Sequence, residues 1–399
     1  MLFAIATLNY ADRTAISSVF PLLRADLGAS NVGLAAIGSV FLWSYAIGSP
    51  FAGLLADRVS RSRVVIWSLV SWSAVTFFSG FVPNIGALLS MRALLGFAEC
   101  AYIPAAVALI ADHHPAGSRA TAIGIHAGGL NFGLVAGGVA AGYLGDHFGW
   151  RWNCLVLGAA GLLLAVVATF VLEDGPFAEK SARQEFAVTQ SLASLVRVPV
   201  YPIIVAEAML IAFVSWTFLN WLPLYFEERF TMSLTAGGIS GTLMLQVAAI
   251  IGGTGGGYLS DKIASHRPQR RMLLLAANYL LAAPFLLAFT LDASYGALSA
   301  SIFAYSLFRN LGTANEYPIL CDQLRPKLRA AAIGLINTCN NLAGGIGILI
   351  AGLLKSDYDL GAIFGTVSGI VLLAACIVLA GYFLFGQRDS TVEDHNVLI

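Results

Sequence analysis

Arg119-Ala-Thr-Ala-Ile-Gly124 returns 210 positions later as Arg329-Ala-Ala-Ala-Ile-Gly334. The same offset carries Asn131 onto Asn341, Gly137 onto Gly347 and Gly142 onto Gly352. Each copy opens an apolar run. A second echo agrees: Gly53-Leu-Leu-Ala-Asp-Arg58 and Gly257-Tyr-Leu-Ser-Asp-Lys262 each close one. About twenty apolar residues in helical form cross the hydrocarbon core of a bilayer. Twelve such runs lie along the chain, at roughly 1–22, 33–55, 64–82, 86–110, 120–144, 152–172, 199–225, 236–259, 272–291, 294–320, 330–354 and 361–386. The longest polar segment, Glu173 to Arg197, divides six from six. The expected fold is an all-α membrane protein of twelve transmembrane helices in two pseudo-symmetric six-helix halves. Its expected parts are a bundle at 1–173, a linker at 174–197, a bundle at 198–387 and a tail at 388–399.

Composition narrows the class. The chain is 58% hydrophobic and 11% charged, with a mean hydropathy of +0.79; soluble domains carry about 25% charged residues. The runs are too long and too continuously apolar for barrel strands of about ten residues. A net charge of zero gives no hint of nucleic acid. The five cysteines, Cys100, Cys154, Cys321, Cys339 and Cys376, have spacings that suggest neither a metal site nor a disulfide framework. No Gly-x4-Gly-Lys-Ser/Thr loop is present, so ATP is not expected, and no cofactor is. The first run lacks a basic leader and a small-residue cleavage site, and reads as a span.

Orientation follows from the cations. Arg58, Arg61, Arg63, Arg119, Lys180, Arg183, Arg197, Lys262, Arg267, Arg270, Arg271, Arg325, Lys327, Arg329 and Arg388 fall on one side of such a bundle. Arg24, Arg151, Arg229 and Lys355 fall on the other. Fifteen against four places both termini in the cytoplasm of a cell whose inner membrane holds the chain.

Charges inside the spans carry the functional reading. Asp12 and Arg13 interrupt the first run, and Arg92 and Glu99 lie two turns apart on one face of the fourth. A mid-membrane charge costs about 2.5–3.5 kcal/mol even on lenient scales, so intramembrane ionisable groups are functional by default. If the two spans pack together, each carboxylate can meet an arginine. Helix-locking ion pairs are the bland alternative. The tenth run repeats the spacing with Arg309 and Glu316, expected to be a structural or gating pair. Glu207, early in the seventh run, is expected to snorkel to water.

Gly53–Arg63 and its echo resemble the signature loop of the major facilitator superfamily. Asn9-Tyr-Ala-Asp-Arg13 and Arg92-Ala-Leu-Leu-Gly-Phe-Ala-Glu99 resemble that superfamily's anion:cation symporter branch, which includes sugar-acid/proton symporters. The resemblance implies that Asp12 and Glu99 carry protons, that Arg13 and Arg92 bind the substrate anion, and that Tyr10 and Tyr45 line the cavity. Spinster-type lipid transporters share a similar pattern and are the alternative; a non-transporting sensor is a further one.

Around these charges, Asn131, Asn220, Asn337 and Asn341 are candidates for a polar cavity suited to a sugar acid's hydroxyls. Asp57 with Arg58, and Asp261, are candidate latches in the basic-side loops, each acid accepting from backbone N–H groups at a helix start. His126 is expected to be packed or hydrogen-bonded. No nucleophile–base pair suggests an enzyme. The expected partners are a small organic anion, the proton and the bilayer, around a monomer.

Overall fold

The computed structural model describes residues 1–56, 59–174, 194–265 and 267–386. Twelve helical spans run through them. The first comprises Leu2–Ala15, a short turn at Ser17–Val19, and Phe20–Leu27. Then follow Asn31–Ala56, Arg61–Ser79, a fourth span of Ile85–Glu99 and Tyr102–His113, Ala116–Phe148 and Trp150–Val171. The second half comprises Val200–Phe230, Leu234–Ala264, Arg270–Leu286, a tenth span of Tyr295–Thr313 and Glu316–Gln323, Pro326–Leu354 and Leu360–Gly381. Among the described residues, nine helices are long and apolar enough to cross a membrane by length and composition. The first, third and tenth complete the twelve. The first and tenth are interrupted, and the third spends its length on Ser62, Ser68, Ser71, Ser73 and Ser79.

The interruptions have a common local cause. Proline lacks the N–H that would bond the carbonyl four residues earlier, and its ring crowds that carbonyl. Pro21 stands four after Ser17, Pro104 four after Cys100, and Pro318 four after Ala314. Those positions are where the first, fourth and tenth spans break. Helix starts are capped by side chains: Ser60, Asn84, Ser233, Ser294 and Asp359 each accept from a backbone N–H three residues on. The start of the third span is also held by Asp174, which accepts from the Ser62 amide at 3.0 Å. Burial alone would raise that carboxyl's pKa; hydrogen bonds from Ser60 and Ser62 outweigh it and hold the pKa below the usual carboxylate range.

The duplication in the sequence is a duplication of packing. In the first half, span one lies on five, two on four and three on six; in the second, seven lies on eleven, eight on ten and nine on twelve. The halves meet chiefly through two pairs, two against eleven and five against eight, with the Ser17–Val19 turn of span one also touching seven and eight. A matched strut ties the basic-face end of each half. Arg61 pairs with Asp112, and 210 positions on Arg271 pairs with Asp322 at 3.2 Å.

Glycine makes the close contacts possible. A Cβ on Gly133 would strike the carbonyl oxygen of Thr7, and one on Gly142 would lie 2.5 Å from that of Leu234. With little hydrophobic drive between helices in lipid, backbone approach of this kind supplies the packing.

Candidate functional site

Successive residues on a helix point about 100° apart. Asp12 and Arg13 therefore serve different neighbours. Asp12, 3% exposed, faces span three and accepts from Thr76 Oγ1 at 3.1 Å. Arg13 faces span four and donates to Glu99 Oε2 at 3.1 Å. Its guanidinium lies over Tyr10 and Tyr45, 4.3 and 5.0 Å from the ring centroids, and 6.0 Å from the ring of Trp216 in the second half. The expectation that each carboxylate meets an arginine holds for Glu99 alone. Arg92, 6% exposed, forms no ion pair among the described residues, and its Nε has no hydrogen-bond partner. Asp12 Oδ1 and Glu99 Oε1 are likewise buried without partners. A buried charge separated from its partner costs about 3–5 kcal/mol, so this cluster is sensitive to anything that competes for Arg13.

The second half departs further from the spacing rule. Arg309 and Glu316 do not pair. The helix ends at Thr313 and restarts at Glu316, so seven residues no longer make two continuous turns. Arg309 donates instead to Ser215 Oγ at 2.9 Å and Asn310 Oδ1 at 3.3 Å. Glu316 lies 3.3 Å from the hydroxyl of Tyr279, which also hydrogen-bonds Glu207. Glu207 is 0% exposed. The expectation that it snorkels is wrong, because Tyr279 on span nine offers a partner in the interior.

A cavity of about 210 Å3 lies between the halves. Tyr10 and Asn131 line it from the first; Trp216, Gln246, Tyr305 and Arg309 line it from the second. Tyr10 and Asn131 are thus the foreseen candidates at its wall, with Arg13 and Tyr45 behind Tyr10. Asn220 is buried against Gly38, where a Cβ would lie 2.6 Å from its Nδ2. Asn337 accepts from Tyr317 at 3.4 Å, and Asn341 bonds back to the Asn337 carbonyl at 2.7 Å. Sequence reading missed Ser215, Trp216, Gln246 and Tyr305. Polar residues alternating along spans seven, eight and ten were the available signal. His126 is packed as expected, 3.0 Å from the Tyr102 hydroxyl.

Among the described residues, the cavity is closed on one side and open on the other. Residues spaced by three and four share a helix stripe. On span five, Gly138 and Gly142 meet Gly238 and Leu234 of span eight; towards the basic face, Gly124 and Gly128 have nothing within 4 Å of a Cβ. Gly253 on span eight and Gly334 on span eleven are open in the same way, whereas Gly345 and Gly352 pack against Trp43 and Ala35 of span two.

Polar contacts seal the closed side. Asp146 caps span eight, accepting from the amides of Leu234 and Thr235 at 3.0 and 2.9 Å and from Thr235 Oγ1 at 2.6 Å. Glu228 receives Arg24 at 3.4 Å and Lys355 at 2.6 Å. None of these belongs to the expected latches. Asp57 and Arg58 lie outside the described residues. Asp261 accepts from the Arg271 guanidinium at 3.2 Å and is largely exposed, rather than capping a helix start. Its partner is a side chain at the start of span nine, whereas Asp146 is fixed by backbone donors of the other half.

Comparisons with known proteins agree with this architecture. A family model described as Major Facilitator Superfamily matches residues 2–277 and 257–396. The probable galactarate/D-glucarate transporter GudP of Escherichia coli (strain K12) is 24% identical, over 96% of this chain and 92% of that protein. The probable sulfoacetate transporter SauU of Cupriavidus necator is 27% identical, over 92% of this chain and 90% of its own length. A crystal structure of a bacterial homolog to the human lysosomal transporter Spinster, inward-facing and occupied, superposes with a TM-score of 0.78 at 21% identity, over 96% of this chain and 95% of that one. With twelve spans in two matched halves, a cleft between them and a family match along nearly its whole length, the chain belongs to the major facilitator superfamily.

Proposed function

We propose that the protein is a proton-coupled symporter of a small organic anion, a sugar acid or a similar carboxylate, working by alternating access in the inner membrane with both termini in the cytoplasm. The Arg13–Glu99 pair carries the proposal. It couples a fixed cation to a buried acid across 3.1 Å, behind the Tyr10 ring that lines the cavity. A substrate carboxylate that engages Arg13 takes over the planar fork of donors that Glu99 now uses. Glu99, buried and stripped of its counter-ion, then holds a proton in its place. Anion and proton thereby favour each other, and the linkage is reciprocal. Asp12, bonded to Thr76, is the second proton-carrying group, and Arg92 adds positive potential behind both. The relatives are named as probable transporters of galactarate, D-glucarate and sulfoacetate, all anions, which supports the reading. The alternative is a Spinster-like lipid transporter. Gln246, Asn310 and Arg309 on the second-half wall favour a small polar solute over an acyl chain.

The test is transport of D-glucarate by purified protein in proteoliposomes. Glu99→Gln mimics the protonated acid. It should still exchange labelled D-glucarate across the membrane but lose accumulation under an inward proton gradient. Accumulation equal to the parent's by both Glu99→Gln and Asp12→Asn would remove these acids from the proton path.

A further inference from the structure

The two halves present arginines in opposite states. Arg13 is matched by Glu99. Arg309 has neutral partners only, Ser215 and Asn310, and takes part in no ion pair among the described residues. Glu316 acts on this guanidinium only from a distance, so a guanidinium inside the bundle that hydrogen-bonds to no anion keeps its charge available to one. Its surroundings fit that role. The hydroxyl of Tyr305, a residue 1% exposed, is buried without a hydrogen-bond partner. Tyr305, Gln246 and Arg309 line the same cavity. One fixed cation and one amide on the wall, with an unpartnered hydroxyl covered just behind it among the described residues, make a donor set suited to the oxygens of an acidic group.

The cavity connects this set to the first half. Tyr10 and Trp216 both line it, and the Arg13 guanidinium lies 4.3 Å from the one ring and 6.0 Å from the other. One arginine thus stands behind each wall of a single small chamber.

We infer that Arg309, with Tyr305 and Gln246, forms a second anionic subsite, and that the transported solute is a small dianion with one acidic group held by Arg13 and the other by Arg309. This rests on the reading of the cavity as an organic-anion site and names the class within it. A doubly charged solute joins the halves, and a singly charged one engages only one of them. The second charge therefore supplies the differential affinity for the closed, loaded state that drives the halves together.

Isothermal titration of purified protein with matched acids tests the inference. D-glucarate and D-gluconate share a six-carbon chain and differ in one carboxylate; succinate and butyrate repeat the contrast on a shorter chain. The parent should prefer the dianion of at least one pair by about tenfold or more, the usual scale for one charge-assisted contact. Arg309→Gln should bring the dianion to the monoanion's affinity while leaving the monoanion within about twofold. Arg309→Lys should restore part of the preference and decides the matter if the glutamine variant does not fold. Equal binding of both members of each pair by the parent, or a preference that survives Arg309→Gln, would overturn the second subsite and leave the anion reading standing. Binding of none of the four acids would overturn the anion reading itself, and this inference with it.

Discussion

Tyr279 shows what one side chain does in an interior without water. Its hydroxyl reaches two buried carboxyls, Glu207 and Glu316. A hydroxyl has one hydrogen to give. The two carboxyls therefore share one donor. Among the described residues Glu207 Oε2 has no partner, and Tyr279 is the one hydrogen-bonded contact of Glu207. Tyr279→Phe keeps the ring packing and removes the hydroxyl. It should destabilise the protein by about 1–3 kcal/mol, the cost of leaving a buried polar group unsatisfied. Thermal unfolding in detergent, compared with Tyr305→Phe, measures this. Tyr305 already lacks a hydroxyl partner, so its variant should change little. Equal shifts for the two would contradict the assignment.

Among the elements, the fifth helix has two kinds of glycine. Gly129, Gly133 and Gly137 meet Phe3, Thr7 and Ala11 of span one, and Gly124 and Gly128 meet nothing among the described residues. Gly133→Ala forces the first and fifth helices apart at a backbone contact and should cost about 1–3 kcal/mol, as overpacking does. Gly128→Ala meets open space and should be neutral, or stabilising by about 0.5–1 kcal/mol through helix propensity. Unfolding temperatures of the two variants side by side check the contrast. The proline breaks have a positional effect of the same order of importance. Glu99 is the last residue before the break in span four, and Glu316 the first after the break in span ten. Each acid sits where helical continuity ends.

For the whole molecule, a basic face open among the described residues and a sealed opposite face imply two arrangements of the same halves. The seal holds few charged groups, and Asp146 is the one that caps a helix of the other half. Asp146→Asn keeps the shape and removes the charge at a helix N-terminus. An N-terminal cap contributes about 1 kcal/mol, so the population open on the sealed side should rise by about fivefold. Spin labels placed on either side of that face report the change as a longer-distance component. Distance distributions identical to the parent's would exclude Asp146 from the closure.

Hydropathy, the duplication and the buried charges were legible in the chain itself. They depend on the bilayer as solvent and on spacing along one dimension: Gly124 answers to Gly334, and twelve apolar runs answer to twelve spans. Asp12, Arg13, Arg92 and Glu99 stand out because apolar sequence surrounds them. Only the tertiary structure decided who meets whom. Glu99 pairs with Arg13 of another helix rather than with Arg92 two turns away on its own. Arg309 is released from Glu316 by Pro318 and turned to the cavity, Glu207 is drawn inward by Tyr279, and Asp146 rather than Asp261 caps a helix of the other half. The reason is geometric. Spacing fixes which face of a helix a residue shares, but each helix's rotation about its axis and its nearest neighbour are set by backbone contacts at glycines scattered over the other helices. A partner chosen across a helix interface is a property of those contacts together.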